Sequence, residues 1–239
     1  VVHGDCSAIQ GFSPIQGLAI TAPHKHWARQ AGAGLQGECE RHSAWNTLVH
    51  KGGSYRGTST DGPGALALLE ESLGGQDALS GKRVAILGRG GAAQSVATSL
   101  ADREMEVVLH CRPGKRHERE LAGDRFTVSD QPAEIAAADL LINATGSDPE
   151  ESQEWPWALD LFQGEAALEM DYSRGETAFE KTLKEHQGME AWSGFDFFAS
   201  QACLQARHFY GIEVSLHTAI EMVREIRRER ARNNYPVIS

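Results

Sequence analysis

The stretch that most constrains this 239-residue chain begins at Lys82, where short apolar runs start to alternate with helix-forming segments. Val84-Ala85-Ile86-Leu87 reads as a buried strand, Ala92 to Leu100 as a helix, and Val107-Val108-Leu109-His110 as a second strand. Further strands are expected at Phe126-Thr127-Val128, Leu140-Leu141-Ile142-Asn143 and Ala166-Ala167-Leu168-Glu169-Met170. Strands alternating with helices imply a parallel sheet with helical crossovers, so the fold class is α/β.

Between the first of these strands and its helix lies Gly88-Arg89-Gly90-Gly91-Ala92-Ala93, a G-x-G-x-x-A turn. Each position has a physical job. Gly88 permits the tight turn, Gly90 lets backbone approach a pyrophosphate, and Ala93 is small enough for close helix packing. The helix N-terminus adds amide donors and a favourable dipole for an anion. The expected unit is therefore a Rossmann-type doubly wound sheet that holds a dinucleotide. After the second strand, where a carboxylate would bind the ribose hydroxyls of NAD, stands His110-Cys111-Arg112-Pro113-Gly114-Lys115-Arg116. Arg112, Lys115 and Arg116 suit a 2'-phosphate, which a guanidinium can hold through paired charge-assisted hydrogen bonds. NADP is the expected cofactor. A glycine-rich turn without a ligand, followed by a solvated basic turn, is the competing account of the same residues.

Composition narrows the partners. A net charge of -10 argues against general nucleic-acid binding, which needs clustered cations. No apolar run approaches the roughly 20 residues that span a bilayer, and no signal-peptide pattern opens the chain, so no membrane partner is expected and a cytoplasmic setting is the default. The cysteines Cys6, Cys39, Cys111 and Cys203 are too scattered for a zinc site and read as reduced thiols. His24 and His26 flank Lys25 without a partnered cluster and read as surface or packing histidines, so no metal is expected.

Before the nucleotide region, Gly17-Leu18-Ala19-Ile20-Thr21 and Trp45-Asn46-Thr47-Leu48-Val49 read as short strands, and Lys51 to Thr58 as a hairpin. Gly64 to Glu71 is helical in composition, stopped by Leu73-Gly74-Gly75; Phe197 to Tyr210 and Leu216 to Arg230 read as two closing helices. Three stretches here stand in a fixed order ahead of the glycine turn: Ala19-Ile20-Thr21-Ala22-Pro23-His24-Lys25, Ala44-Trp45-Asn46-Thr47, and Thr58-Ser59-Thr60-Asp61-Gly62-Pro63-Gly64. With Ile142-Asn143-Ala144-Thr145 and Met170-Asp171-Tyr172 they resemble the shikimate dehydrogenase family, whose patterns run VTxPHK, AVNT, NTDxxG, INAT and D-x-x-Y.

That resemblance covers nearly the whole chain and implies a reversible, NADPH-dependent reduction of 3-dehydroshikimate to shikimate, a step of aromatic amino-acid biosynthesis. It implies Lys25 and Asp61 as a catalytic dyad. Hydride transfer to a ketone builds negative charge on oxygen; a positioned ammonium stabilises that charge and donates the proton, while a carboxylate holds the ammonium charged and oriented. Thr21, Asn46, Tyr172 and Gln201 would line the substrate pocket together with Asp61. Gly88, Arg89, Gly90, Gly91, Ala92, Ala93, Asn143, Ala144, Thr145 and Gly194 would contact the cofactor along with the basic turn. Taken singly, Lys25 reads equally as a solvated residue opening a helix, and Asp61 as a helix N-cap ahead of Pro63.

Two lobes are expected: a substrate lobe of residues 1–75 and 196–239, a smaller and N-terminally incomplete α/β domain, and an NADP lobe of residues 76–195. The family's opening strand, helix and Ser-x-Ser element have no counterpart, since Ser13-Pro14 lies immediately before the Lys25 strand. The expectation is a fragment, the tail of a fusion, or a chain served by an associated N-terminal segment or a homodimer. Cys111 replaces an asparagine common in the family, and Phe197 a methionine near the nicotinamide, where it either narrows the pocket or repacks it. A quinate or related dehydrogenase, and a module that binds NADP without turnover, remain open alternatives.

Overall fold

The computed structural model describes residues 16–21, 24–25, 44–51, 54–112, 125–146, 156–172, 175–189 and 191–232, and its strands fall into two sheets. The first is antiparallel, with β1 (Gly17–Ala19), β2 (Thr47–Lys51) and β3 (Ser54–Thr58) side by side in that order. The hairpin expected from Lys51 to Thr58 is there, with Thr47 opposite Thr58 and Lys51 opposite Ser54. Its inner face buries Trp45 and Leu48 against Leu18, Ile20 and Tyr55. The indole lies flat enough on β3 that a Cβ on Gly57 would stand 1.8 Å from a Trp45 ring carbon. Only glycine leaves room for that ring.

The second sheet is parallel throughout and carries the dinucleotide turn. Its strands are β4 (Arg83–Leu87), β5 (Glu106–His110), β6 (Thr127–Ser129), β7 (Leu140–Asn143) and β8 (Ala166–Glu169), in spatial order β6-β5-β4-β7-β8. The chain runs outward from β4 through β5 to β6, then crosses back to β7 and β8. The switch point therefore lies at the carboxyl ends of β4 and β7, where open α/β sheets bind their ligands. All residues of β7 and β8 and four of the five in β4 are buried, which is why these strands read as continuous apolar runs.

Six α-helices, with two 3-10 helices at Gln76–Ala78 and Pro156–Leu161, complete the described elements: α1 (Asp61–Leu73), α2 (Gly91–Ala101), α3 (Ala133–Ala136), α4 (Ala178–Gln187), α5 (Gly194–Tyr210) and α6 (Leu216–Arg232). One face of the parallel sheet packs α1, α2, α5 and α6 through Leu68, Leu69, Val96, Leu100, Phe197 and Ile220. The other face buries Ile135, Phe162, Phe179 and Leu183 against Ala85, Leu87 and Leu141. A single apolar layer thus holds the helix that follows the small sheet, α1, beside the helix that follows the glycine turn, α2. None of these helices is long and apolar enough to cross a membrane.

The helices differ from the expectation in several places: the short α3 was not expected, α5 opens at Gly194 rather than Phe197, and α1 and α4 depart as follows. Helix α1 opens at Asp61, one turn before Gly64, because Pro63 in a first turn costs no hydrogen bond. Helix α4 was not expected at all. Its sequence is strongly polar, yet Thr177 and Glu180 form a reciprocal capping box at its start. Cys6, Cys39, Ser13-Pro14, Pro23, His26, Gly52, Gly53, Lys115 and Arg116 lie outside the described residues. Cys111 is a buried free thiol and Cys203 a half-buried one.

Gly57→Ala tests the indole contact. The variant is expected to lose about 1–3 kcal/mol of stability through overpacking. Urea unfolding of the two proteins side by side measures it; an unchanged midpoint would mean that Trp45 does not sit on β3.

Candidate active site

Asp61 is the first residue of α1, and its carboxylate is not spent on capping, since Thr60 is the N-cap and no side chain caps the helix. Instead Lys25 Nζ donates to Asp61 Oδ2 at 2.6 Å, and Asn46 Nδ2 donates to Asp61 Oδ1 at 2.9 Å. Asp61 is 3% exposed, so its charge is held by these two partners and by the positive end of α1. Lys25 is brought there by backbone. Trp45 N–H donates to the Lys25 carbonyl at 3.0 Å, and Asn46 N–H to the Thr58 carbonyl at 3.2 Å, which sets three distant segments side by side.

Asn46 is the hub of the cluster. Its Oδ1 accepts from Thr60 N at 2.8 Å and from Thr47 Oγ1 at 2.9 Å, while Nδ2 also faces Thr60 Oγ1 at 2.9 Å and Gln201 Oε1 at 3.4 Å. Thr60 Oγ1 lies 3.0 Å from Gln201 Oε1 and donates to it. Gln201 reaches the cluster because α5 packs tightly on α1: a Cβ on Gly64 would be 2.9 Å from the Gln201 Cα, and Ser200 Oγ donates to the Gly64 carbonyl at 2.7 Å. One turn further along α5, Gln205 Nε2 donates to the Asn46 carbonyl at 3.3 Å and to Thr47 Oγ1 at 3.1 Å. Thr60 and Gln205 were not anticipated. The spacing of Gln205 from Gln201, one helical turn, was the available signal.

The structure thus joins Lys25, Asn46, Asp61 and Gln201 through hydrogen bonds. Thr21 is exposed, its carbonyl accepting from His24 N–H at 3.0 Å. Tyr172 is 37% exposed and packs on Phe198, ring centroids 4.9 Å apart, three residues before Gln201 on the same helix. Phe197 lies in the core at 2% exposure, which favours repacking over narrowing of a pocket.

On the nucleotide side, Gly88 has φ +106°, and a Cβ there would stand 3.1 Å from the Ala144 carbonyl oxygen. Gly88 N–H donates to the His110 carbonyl at 2.8 Å and Ala144 N–H to the Leu87 carbonyl at 3.0 Å, so the turn after β4 is wedged between β5 and β7. The first intrahelical bond of α2 runs from Gln94 N–H to the Gly90 carbonyl at 3.0 Å. The N–H groups of Gly91, Ala92 and Ala93 therefore precede the ladder. Apart from its two chain neighbours, no described residue has an atom within 4 Å of where a Cβ on Gly90 would be, so the space beside Gly90 is open. Ala93 is fully buried, as close helix packing requires. Arg89 sits half-buried within the turn, its carbonyl accepting from Gln94 Nε2 at 2.8 Å, and Arg112 is exposed just beyond β5. β5 ends in His110 rather than in an acid; burial pushes its imidazole down against the raising pull of Asp130 and Glu134.

Comparison with known proteins then decides the family. A shikimate dehydrogenase (NADP(+)) of Hyphomonas neptunium is 30% identical over 229 residues, 92% of this chain and 82% of the relative. The chain belongs to the shikimate dehydrogenase family. Residues 78–157 also match the NADPH-binding domain of acetohydroxy acid isomeroreductase. Among solved structures, the Thermus thermophilus shikimate 5-dehydrogenase in complex with NADP(H) and shikimate aligns with TM-score 0.71 at 26% identity, over 89% of this chain and 80% of that one. The Aquifex aeolicus shikimate dehydrogenase aligns with TM-score 0.76 at 23% identity, over 91% and 80%, and shares the fold.

Family membership corrects one assignment. In D-x-x-Y the acid stands three residues before the tyrosine, and three before Tyr172 is Glu169, not Asp171. Glu169 is 1% exposed; its carboxylate accepts from Asn143 Nδ2, Asp171 N and Thr177 Oγ1, each at 2.8 Å. Asn143 in turn accepts from Thr145 Oγ1 at 2.8 Å and Thr145 N at 3.2 Å. One buried carboxyl thus sets the loop after β7 that Gly88 packs against. Gly194 is fixed by the same region, since a Cβ there would be 1.9 Å from the Asp171 carbonyl oxygen.

Burial pushes Glu169 up to about 7 against these three hydrogen bonds, and desolvation raises Glu180 in the same sense. A carboxyl whose folded value lies above its unfolded one stabilises the native state at low pH, and that stability is lost as pH rises through about 7. Wild type is expected to lose on the order of 3 kcal/mol between the unfolded and folded values. In Glu169→Gln this slope is absent, whatever the variant's absolute stability. Thermal unfolding of both proteins from acid to neutral pH measures it, and parallel curves would show that Glu169 does not titrate there.

Proposed function

We propose that the chain is an NADP-dependent shikimate dehydrogenase that reversibly reduces 3-dehydroshikimate to shikimate, as part of aromatic amino-acid biosynthesis. The observation that carries this reading is the Lys25–Asp61 pair, 2.6 Å apart, joined to Asn46 and Gln201 beside a helix that follows a G-x-G-x-x-A turn. When bound, NADPH supplies the hydride. The residues present fit it: the space beside Gly90 is open, the first N–H groups of α2 precede its hydrogen-bond ladder, and Arg112 stands where the 2'-phosphate of NADP needs a cation. In this reading Gly88 to Ala93 cradle the pyrophosphate, Asn143, Ala144, Thr145 and Gly194 border the nicotinamide end, and Arg112, Lys115 and Arg116 hold the ribose phosphate.

Lys25 is the proton donor in reduction. Its ammonium lies against the substrate carbonyl oxygen, stabilises the charge that develops there as hydride arrives at carbon, and passes one proton to that oxygen. Asp61 keeps the ammonium charged and aimed. In oxidation the same Nζ accepts the hydroxyl proton. Asn46 and Gln201 orient ring hydroxyls, and Thr21 and Tyr172 line the pocket. The lobe of residues 1–75 and 196–239 holds substrate, and residues 76–195 hold the cofactor.

Turnover of NADP+ with shikimate, then quinate, followed by nicotinamide absorbance, tests the reading. Lys25→Ala is expected to lower kcat by about 10²–10⁴ with NADP affinity retained; equal rates would remove Lys25 from the chemistry. Arg112→Ala is expected to raise the KM for NADP+ about tenfold or more and leave that for NAD+ unchanged, because it removes a charge-assisted bond to the 2'-phosphate alone. Equal loss with both cofactors would show that Arg112 does not read the phosphate.

A further inference from the structure

Ser95 lies in the second turn of α2, fully buried, and faces the start of α1. Its Oγ accepts from Gly62 N–H at 3.0 Å and shares a hydrogen bond with Ser59 Oγ at 2.8 Å. Gly62 follows Asp61, and Ser59 precedes Thr60, so the two contacts bracket the residues that hold Lys25 and Asn46. The helices meet backbone to backbone at this point, since a Cβ on Gly62 would stand 2.2 Å from the Ser95 carbonyl oxygen. Ser59 occupies the first position of the pattern NTDxxG, in which that position is asparagine.

We infer that Ser95 is a positioning residue for hydride transfer, which locks the cofactor helix α2 to the Asp61 end of α1 and so sets the approach of the two reactants. The inference rests on the function proposed above. In that proposed function each reactant is bound by its own lobe, and the residues assigned to NADP and to the substrate hydroxyls do not include Ser95. What Ser95 governs is the separation between them. Hydride transfer needs the reacting atoms about 3–3.5 Å apart, and a misplacement of about 1 Å costs up to about 10²-fold in rate. Without the Ser95 hydroxyl, the buried Gly62 N–H has lost the acceptor that ties it to α2, and the junction relaxes or admits water to regain one.

The test compares wild type, Ser95→Ala, Ser59→Ala and the double variant in steady-state turnover of shikimate and NADP+. NADP+ binding is measured alongside, and the isotope effect on kcat in the reduction of 3-dehydroshikimate with NADPH deuterated at the transferred position. Ser95→Ala is expected to lower kcat about tenfold with both KM values within about twofold of wild type, and to enlarge the isotope effect as hydride transfer becomes limiting. Ser59→Ala is expected to move the same way by less, and the double variant to match Ser95→Ala, because one hydroxyl mediates both contacts. An unchanged kcat in Ser95→Ala, or a fall shared by both KM values with the isotope effect unaltered, overturns the inference. Should Ser95→Ala not fold, Ser59→Ala decides, since it leaves the Ser95 to Gly62 bond intact and must show the same split. A wild type inactive toward shikimate, or a Lys25→Ala variant at full rate, overturns the proposed function and this inference with it; an active, Lys25-dependent wild type with a silent Ser95 overturns this inference alone.

Discussion

A buried carboxylate needs compensation, and the one at Asp61 organises the molecule around it. At 3% exposure its charge could not survive alone, since an unpaired buried ion costs several kcal/mol. Lys25, Asn46 and the N-terminus of α1 supply the compensation from three parts of the chain. Lys25 reaches it only because its carbonyl accepts from Trp45 N–H, and Asn46 only because β2 begins beside Thr58. The small sheet is therefore the frame that delivers one ammonium and one amide to the end of one helix. The apolar layer shared by α1, α2 and α5 then fixes that helix end against the parallel sheet.

How much of this could be read beforehand depended on where each element hides its polar groups. The parallel sheet was legible strand by strand, because strands buried on both faces leave unbroken apolar runs such as Val84 to Leu87. The strand order could not be read, since apolar runs do not say which neighbour they pair with. Helix α4 was missed for the opposite reason. Among the described side chains of its run from Ala178 to Gln187, Phe179 and Leu183 are the buried ones amid charged residues, and the capping box at Thr177 and Glu180 was the local mark of its start. At α1 the glycines and proline after Asp61 look like a loop until their packing is known.

The site was legible to the extent that its residues are consecutive. Lys25, Asn46 and Asp61 stand in short patterned stretches, and the structure gathers them. Glu169 escaped because its partners, Asn143 and Thr177, are remote in sequence, and only the hydrogen bonds reveal why an acid belongs on a strand buried on both faces. Gln205 and Ser95 escaped similarly, as polar residues on helix faces that would ordinarily be solvated. Each turns out to hold a backbone group of the site: the Asn46 carbonyl in one case, the Gly62 N–H in the other. A buried side chain bonded to backbone fixes position, while one bonded to a side chain can fix charge, and this cluster uses both kinds.

Net charge adds a last constraint. The chain carries -10 and yet is built to take an anionic cofactor and an acidic substrate. At physiological ionic strength exposed charges are screened beyond about 8 Å, so the global excess of carboxylates weighs little against donors in direct contact. Those donors are of two sorts. The N–H groups opening α2 are fixed by the fold and need no counter-charge, and β5 ends in His110 rather than in a carboxylate, so the strand's own last residue does not compete with Arg112. Lys25, by contrast, is pinned to a carboxylate at 2.6 Å. An ammonium held so closely offers an anionic substrate little net attraction, whereas it can still give its proton to an oxygen on which charge is forming. In the proposed function the arrangement therefore separates the two tasks: binding falls to neutral amides and to arginine, and the lysine is kept for the bond-making step.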